Sequence, residues 1–420
     1  MRIVRRSRNT VATRCALARK AAVSFDDLSY DFLRDPLPPP DPRCRCCITV
    51  PAKNEADYLL DSLTAFCRQE DLQGRPLDLA LFEIILLANN CSDGTADLAR
   101  TVGRRYPQLR LHVVELTLPP ANAYVGFVRK LMMDEAARRL PAGGIIAMTD
   151  ADTVVDPRWL AATFRAFDRG ARAVGGRILV PPSGRHGYRK IHLQDVTYRS
   201  LQTLLETMVD PNPGDPWPRH FQHYGPSLAV SREAYLACGG MPSLRCIEDA
   251  AFAWALQCVD VDIVHDPAVR VYTSDRSSDR INGVTFSNSL EEWTTMQQDD
   301  REPVVFGLQH CIELFKWKVA LRRAFYERRI GTLPALNSLL RHLNMDPREL
   351  QNMVVSAPTF GELFVAIRQR IDRTHGFSDR TFSQAIGELR RFTHSARESR
   401  AYDMHPVGTD RNAVGESDQN

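Results

Sequence analysis

Three observations predict an α/β fold, a mostly parallel sheet flanked by helices with a helical appendage after it. Short apolar runs alternate with amphipathic segments over residues 46–148. Three polar clusters each stand directly after one of those runs. Over residues 300–392 the pattern is helical. Strand–helix alternation is the mark of parallel strands joined by crossover helices.

The elements follow in order. Cys46–Val50 reads as a short strand ending in Pro51-Ala52-Lys53-Asn54-Glu55. Ala56–Arg68 carries Leu59, Leu60, Leu63, Phe66 and Cys67 at helical spacing. Phe82–Ala88 is a buried strand, and it ends at Asn89-Asn90-Cys91-Ser92-Asp93-Gly94-Thr95. A helix over Ala96–Arg105, a strand over Arg110–Leu116 and a helix over Val125–Leu140 come next. Gly144–Met148 then runs into Thr149-Asp150-Ala151-Asp152. In sheets of this kind ligands bind beyond the carboxyl ends of the strands, so the three clusters are expected in one crevice. Further on, Ile191–Met208 reads as helix, Pro226–Val230 as strand and Arg232–Ala237 as helix. Glu248-Asp249 opens another helix. The later helices are expected at Val304–Arg328, Leu333–Leu343, Pro347–Val354, Phe360–Arg373 and Phe382–Phe392.

Composition narrows the function. Lys and Arg number 54 against 51 Asp and Glu, a net charge of +3 that gives no reason to expect a nucleic-acid binder. No apolar run reaches the ~18–20 residues of a membrane-spanning helix. The first 25 residues are rich in arginine and lack acids. That pattern suits a disordered arm, an organelle transit peptide or a contact with anionic lipid. The Pro-rich stretch Asp35–Pro42 separates this arm from the body. Cys44, Cys46 and Cys47 invite a metal reading, but no second pair stands at zinc-site spacing, so small buried hydrophobes are expected. A reduced cytoplasm is the simplest compartment.

The chemistry concentrates in carboxylates. Asp150 and Asp152 lie two apart at a strand end, and paired hard oxygens of this kind suit Mg²⁺ or Mn²⁺ together with substrate phosphates. Asp156 is placed to cap the next helix, which leaves Asp150 and Asp152 without that task. No glycine-rich phosphate loop follows a strand, so Arg129 and Lys130 are the nearest cations for a phosphate. Glu248 and Asp249 are either a favourable acidic pair at a helix N-terminus or the source of a general base. The loop Pro211–Tyr224, with Trp217, His220, Phe221, His223 and Tyr224, suits a sugar or small polar acceptor, or is an ordinary packed loop.

Taken together, Val50–Glu55, Asn89–Thr95, Asp150-Ala151-Asp152 and Glu248-Asp249 resemble, in order and spacing, the family 2 glycosyltransferases of the GT-A fold. The resemblance covers roughly residues 44–275. It implies that Pro51 and Glu55 help hold the nucleotide base, and that Asn89-Asn90 and Asp93 contact base and ribose. It implies that Arg129 reaches the diphosphate, that Asp150 and Asp152 contact ribose and a bridging Mg²⁺ or Mn²⁺, and that Asp249 is the base. The reaction implied is inverting transfer of a single sugar from a nucleotide-diphosphate sugar, a UDP-sugar first among the donors, to an acceptor hydroxyl. The acceptor is not identified.

Three features depart from the family. Asn89-Asn90 stands where many relatives carry Asp-Asp. Val269–Ser274 lacks the histidine that some use as a third metal ligand, and His265 reads as a strand residue. The QxxRW signature of processive synthases is absent. A nucleotidyltransferase and a non-catalytic scaffold are the rival readings, and the first would carry a glycine-rich basic loop after the first strand. The expected organisation is a basic arm over 1–43, a catalytic domain over 44–275, a helical appendage over 276–392 and a disordered tail over 393–420. Arg276 and Arg280 suit a loop closing over the diphosphate or an exposed linker. The aromatic, late-basic helix Val304–Arg328 suits either packing on the catalytic domain or peripheral membrane contact.

Overall fold

The computed structural model describes residues 36–181, 187–275, 286–331, 333–374 and 379–403, without the side chains of 286–288 and 397–403. The arm before residue 36, the Arg276/Arg280 segment and the tail beyond 403 lie outside the described residues.

The first strands and helices alternate as expected: β1 (Cys46–Ala52), α1 (Ala56–Phe66), β2 (Phe82–Asn89), α2 (Thr95–Arg105), β3 (Leu111–Leu116), α3 (Val125–Arg139) and β4 (Ile145–Met148). Then come β5 (Thr153–Val155), α4 (Trp159–Asp168), β6 (Ala173–Gly175), β7 (Arg177–Leu179), α5 (Arg189–Val209), β8 (Leu228–Ser231) and α6 (Arg232–Ala237). The central sheet is ordered β3-β2-β1-β4-β8-β6-β9, where β9 is Ile263–Val264. Only β8 runs against its neighbours. The expected α/β class, a mostly parallel sheet covered by helices, is therefore the observed one.

Strand alternation explains why these runs are apolar on both faces, with Thr49 and Glu83 as buried polar exceptions. Ile48, Val50, Ile84 and Leu86 face a core shared with Leu59, Leu63 and Phe66 of α1 and Trp159 of α4. Cys47, Ile85 and Leu87 face the opposite core, with Val128 and Met132 of α3 and Tyr235 of α6. A strand buried on both faces has no polar side. The cysteines take part as small hydrophobes: Cys44, Cys46 and Cys47 are free, buried thiols. Burial pushes the Cys44 thiol up to about 11.

Helix α7 (Glu248–Cys258) follows α6 and leads into β9 and β10 (Arg270–Thr273). A second small sheet, ordered β5-β10-β7, sits at the edge of the crevice. The appendage comprises α8 (Phe286–Gln298), β11 (Val304–Phe306), α9 (Leu308–Glu327), α10 (Pro334–Leu343), α11 (Pro347–Ser356), α12 (Phe360–Arg373), β12 (Asp379–Thr381) and α13 (Phe382–Asp403). Its core gathers Trp317, Leu321, Leu339, Leu350, Ile367 and Leu389 around Ile191, Tyr198 and Leu205 of α5. Helix α5 thus belongs to this second core although it precedes residue 276.

Three expectations need correction. Residues 304–306 form a strand paired with β12, not the first turn of a helix; Val304 and Val305 are β-branched, and Gly307 takes the N-cap position. The last helix continues past 392 to Asp403, with Thr393 buried in it, so residues 393–403 are not a loose tail. Residues 36–43 pack on the body, because Arg139 donates to the carbonyls of Leu37 and Pro38, and Asp41 pairs with Arg110. In α9, Phe315, Trp317 and Phe325 are buried in the second core, so the packing alternative holds for that aromatic face. Among the described residues no helix is long and apolar enough to cross a membrane.

The appendage meets the catalytic body at the end of α7. Thr359 Oγ1 donates to the Cys258 carbonyl at 2.6 Å, and the Gly361 N–H donates to Asp260 Oδ1 at 2.7 Å. A Cβ on Gly361 would stand 1.6 Å from the Gln257 carbonyl oxygen, so this joint requires glycine.

Beneath the sheet, Glu83 is fully buried and takes both arms of Arg139, at 2.7 and 2.6 Å, with His112 Nε2 at 3.1 Å. Burial alone would raise its pKa, but the hydrogen bonds from Arg139 and His112 draw it down to about 2. The stabilising contribution of Glu83 is therefore complete above its unfolded value near 4.5 and is lost as pH falls towards about 2. Glu83→Ala strands a buried guanidinium and should cost about 3–5 kcal/mol in urea unfolding at neutral pH, with the penalty shrinking between pH 4.5 and 2. A variant as stable as the parent at neutral pH would refute this role.

Candidate active site

The carboxyl ends of β1, β2 and β4 lie side by side, because β1 pairs in parallel with both others: Ala52 lies opposite Ala88, and Thr49 opposite Met148. This register puts all three polar clusters on one sheet edge, as their positions after strands predict.

The acidic group is organised around one cation. Arg129, on α3, is only 3% exposed. Its Nη2 donates to Asp150 Oδ1 at 2.5 Å, its Nε lies 3.2 Å from Glu248 Oε1, and its Nη1 donates to the Gly225 carbonyl at 3.4 Å. Burial opposes the guanidinium charge, but Asp150, Glu248 and Asp249 outweigh it and raise the Arg129 pKa. The acids are strained in the opposite sense. Burial, and then the charge of Asp249, lift Glu248 to about 7 against the pull of Arg129. Asp150 is also raised, by burial and by the charges of Asp152 and Asp249, with Arg129 opposing.

Asp249 sits in the first turn of α7. Its Oδ2 accepts the Gly225 N–H at 3.0 Å and its Oδ1 accepts the Ala250 N–H at 2.7 Å. Gly225 therefore bonds Asp249 through its N–H and Arg129 through its carbonyl. Asp152 accepts the Ser274 hydroxyl at 2.6 Å, and the neighbouring Thr153 and Thr273 hydroxyls meet at 3.0 Å. The small β5-β10-β7 sheet thus fixes Asp152. Tyr188 donates to Asp275 Oδ2 at 2.8 Å just beyond it.

The second group joins the ends of β1 and β2. Asp93 Oδ1 accepts the Thr95 hydroxyl at 2.5 Å and the Thr95 N–H at 3.1 Å, while Oδ2 accepts the Ala56 N–H at 3.1 Å. Burial opposes, but these hydrogen bonds lower the Asp93 pKa. The Thr95 hydroxyl accepts the Glu55 N–H at 2.8 Å, and Glu55 itself is buried. Asn90, at φ 52°, pairs with both backbone groups of Leu118, at 2.9 and 3.1 Å. Pro51 is half-buried within β1.

The sequence-derived residues thus fall into two sets. Arg129, Asp150, Glu248 and Asp249 converge, and Asp152 stands beside them. Asn90 and Asp93 spend polar atoms on their own backbone, bracing the crevice wall. Arg129 points into the acids, so its contacts are with this chain's carboxylates and not with an open surface. Lys130, the alternative phosphate cation, pairs with Asp134 at 2.6 Å, and Asp134 accepts from Tyr235 at 2.5 Å. The expected helix cap at Asp156 needs correction: the following helix starts at Trp159 with Arg158 at its N-cap and no side-chain cap, and Asp156 caps only the turn before it, accepting the Arg158 N–H at 3.1 Å. Sequence reasoning missed the roles of Gly225, Ser274 and Thr95; Thr95 and Ser274 lay inside segments that were singled out, and Gly225 did not.

Among the described residues no group of three or more His, Cys, Asp or Glu side chains is arranged to hold a metal by itself. The donor set nevertheless suits a hard divalent cation. Asp150 and Asp152 crowd their charges, which raises Asp150, and a cation completed by phosphate oxygens would relieve that repulsion.

The family profile described as Glycosyl transferase family 2 matches residues 47–222. No curated protein matches the chain by sequence. Solved structures do. A mannosyltransferase of Pyrobaculum calidifontis, in complex with GDP-Man and Mn²⁺, is 17% identical, covers 87% of this chain and 98% of its own, and has a TM-score of 0.40. S. aureus TarS 1–349, in complex with UDP-GlcNAc, is 13% identical over 84% of this chain and 92% of its own, at a TM-score of 0.40. GalNAc-T7, with UDP, GalNAc and Mn²⁺, is 13% identical over 75% of this chain and 58% of its own, at 0.41.

A methyl group at Gly225 would lie 2.4 Å from Arg129 Nη2. Gly225→Ala is expected to push the guanidinium off its partners and lower stability by about 1–3 kcal/mol in denaturant unfolding. An unchanged midpoint would show that Arg129 is not packed as tightly as described.

Proposed function

We propose that residues 47–222, which match the Glycosyl transferase family 2 profile, form a glycosyltransferase domain, and that this chain moves one sugar, with inversion, from a nucleotide-diphosphate sugar to an acceptor hydroxyl. The observation that carries the proposal is the convergence of Asp249 with the Arg129–Asp150–Glu248 cluster through the two backbone bonds of Gly225.

In this reading Asp249 is the base. Two backbone N–H groups fix the orientation of its carboxylate, so its geometry does not depend on the substrate. As the acceptor oxygen attacks the anomeric carbon, Asp249 takes the hydroxyl proton and the bond to the diphosphate breaks on the opposite face. A single displacement inverts the anomeric centre. Asp150 and Asp152 are the residues that would hold Mg²⁺ or Mn²⁺, which when bound supplies positive charge against the departing diphosphate. Arg129 contributes by anchoring Asp150 and Glu248 at the crevice floor, a positioning role in place of the direct diphosphate contact implied by the sequence. Glu55, Asn90 and Asp93 shape the pocket for base and ribose, with Pro51 beside them. A UDP-sugar is the leading donor class. Contact with a membrane surface and a cytoplasmic location remain part of the proposal.

Asp249→Asn keeps the shape and removes the base. It should lower transfer by about 10²–10⁴-fold while donor binding, read by thermal shift, is retained; full transfer activity in the variant would sink the assignment. A thermal-shift panel of UDP-, GDP- and ADP-sugars with and without Mn²⁺ tests the donor site itself. The expected result is a shift for one nucleotide class that grows with Mn²⁺ and loses that growth in Asp152→Asn. No shift with any donor would favour a scaffold.

A further inference from the structure

Asp152 is held by a chain of contacts that the transfer step above does not use. Its Oδ2 accepts the Ser274 hydroxyl at 2.6 Å. Ser274 stands directly after β10, whose Thr273 lies opposite Thr153 in the antiparallel pairing with β5. The Thr153 and Thr273 hydroxyls, both on buried residues, meet at 3.0 Å and pin that register. The small sheet thus carries the serine to the carboxylate.

The next residue is tied in a second direction. Asp275 Oδ2 accepts the Tyr188 hydroxyl at 2.8 Å. Tyr188 is buried at the N-cap of α5, edge-on to the His192 ring at 6.2 Å, and His192 lies 5.8 Å from Trp293 of α8. A Cβ on Gly187, just before it, would stand 2.6 Å from the Thr294 side chain of α8. The place of Tyr188 is therefore set by α5 and α8 together, and its hydroxyl holds the end of β10 from the side of the second core.

The bond to Asp152 has one direction. A carboxylate that holds a cation is ionised and only accepts, so the single Ser274 proton is donated to it. The distance is that of a short, charge-assisted O–H···O⁻ bond. A carboxylate offers about four lone-pair positions, so one hydroxyl orients it and leaves room for a cation. We propose that Ser274 is a positioning residue that orients Asp152 for the divalent cation, and that Tyr188, through Asp275, keeps Ser274 in place. The proposal rests on the reading of Asp150 and Asp152 as metal ligands and deepens it by coupling metal affinity to helix α5.

The Mn²⁺ affinity of the full-length protein tests it, read from the EPR signal of the free ion. The metal is titrated alone and with UDP or GDP, each corrected for Mn²⁺ bound by the nucleotide itself. Ser274→Ala should weaken Mn²⁺ binding about 10–100-fold, while the metal-free protein keeps a cooperative melting transition. Ser274→Thr, which retains the hydroxyl, should restore it. Tyr188→Phe should weaken binding by up to about tenfold, the equivalent of one hydrogen bond. Combined with Ser274→Ala it should add nothing, because it acts through that serine. Ser274→Cys separates orientation from ligation: a thiolate ligand would draw Cd²⁺ in preference to Mn²⁺, and no such switch is expected. Parent affinity in Ser274→Ala or Tyr188→Phe, a Ser274→Thr protein as weak as Ser274→Ala, additive losses in the double variant, or a switch to Cd²⁺ each overturns the proposal. A parent protein that binds no Mn²⁺ under any of these conditions would instead overturn the metal reading of Asp150 and Asp152 itself.

Discussion

The site depends on one buried cation. Arg129 has almost no solvent contact, yet it sits amid Asp150, Glu248 and Asp249. Removing a guanidinium from water is strongly unfavourable unless several acceptors replace the hydration. Here Asp150 and the Gly225 carbonyl accept its hydrogen bonds, and the charge of Glu248 stands 3.2 Å from its Nε. The reverse dependence is equally strong, since three carboxylates crowded without that cation would repel one another and bind protons. Glu248, lifted to about 7, already lies close to that limit. The arrangement fixes the positions of Asp150 and Asp249 before any substrate arrives, and preorganised charge is what a displacement at an anomeric carbon needs.

The fold serves this constraint from three directions. Helix α3 delivers Arg129 from beneath the sheet, β4 delivers Asp150, and the start of α7 delivers Glu248 and Asp249. Gly225, where the chain enters the reversed strand β8, ties Arg129 of α3 to Asp249 of α7 and has no room for a side chain. The small sheet holding Asp152 to Ser274 closes the edge. The appendage meets this body at the end of α7 through Asp260 and Gly361 and shares a core with α5.

Much of this was legible in the sequence, and the reasons are physical. Strands β1, β2 and β4 are buried on both faces, so each is a continuous apolar run with a polar cluster where the burial ends. That Asp150 lies on one edge with the Pro51–Glu55 and Asn89–Thr95 clusters followed from the rule that parallel strands share their carboxyl edge, whereas Asp249, which opens a helix, entered only through the family resemblance. What stayed hidden depends on partners far apart in the chain. Nothing local marks Asn90 as bonded to Leu118, or Asp93 as a brace for α1 and α2, because a polar residue after a strand looks the same whether it faces ligand or backbone. Val304–Phe306 was read as helix because its strand partner lies more than seventy residues later. The bonds of Ser274 to Asp152 and of Tyr188 to Asp275 likewise join distant parts of the chain and have no sequence signature.

The central claim is a single displacement with Asp249 as base, and the stereochemistry of the product tests it most directly. Proton NMR of the glycoside formed from an α-linked nucleotide sugar and an acceptor alcohol reads the anomeric configuration of the new linkage. The account predicts a β-linkage. An α-linkage would contradict it, because retention requires either two displacements or a front-face route in which Asp249 has no place.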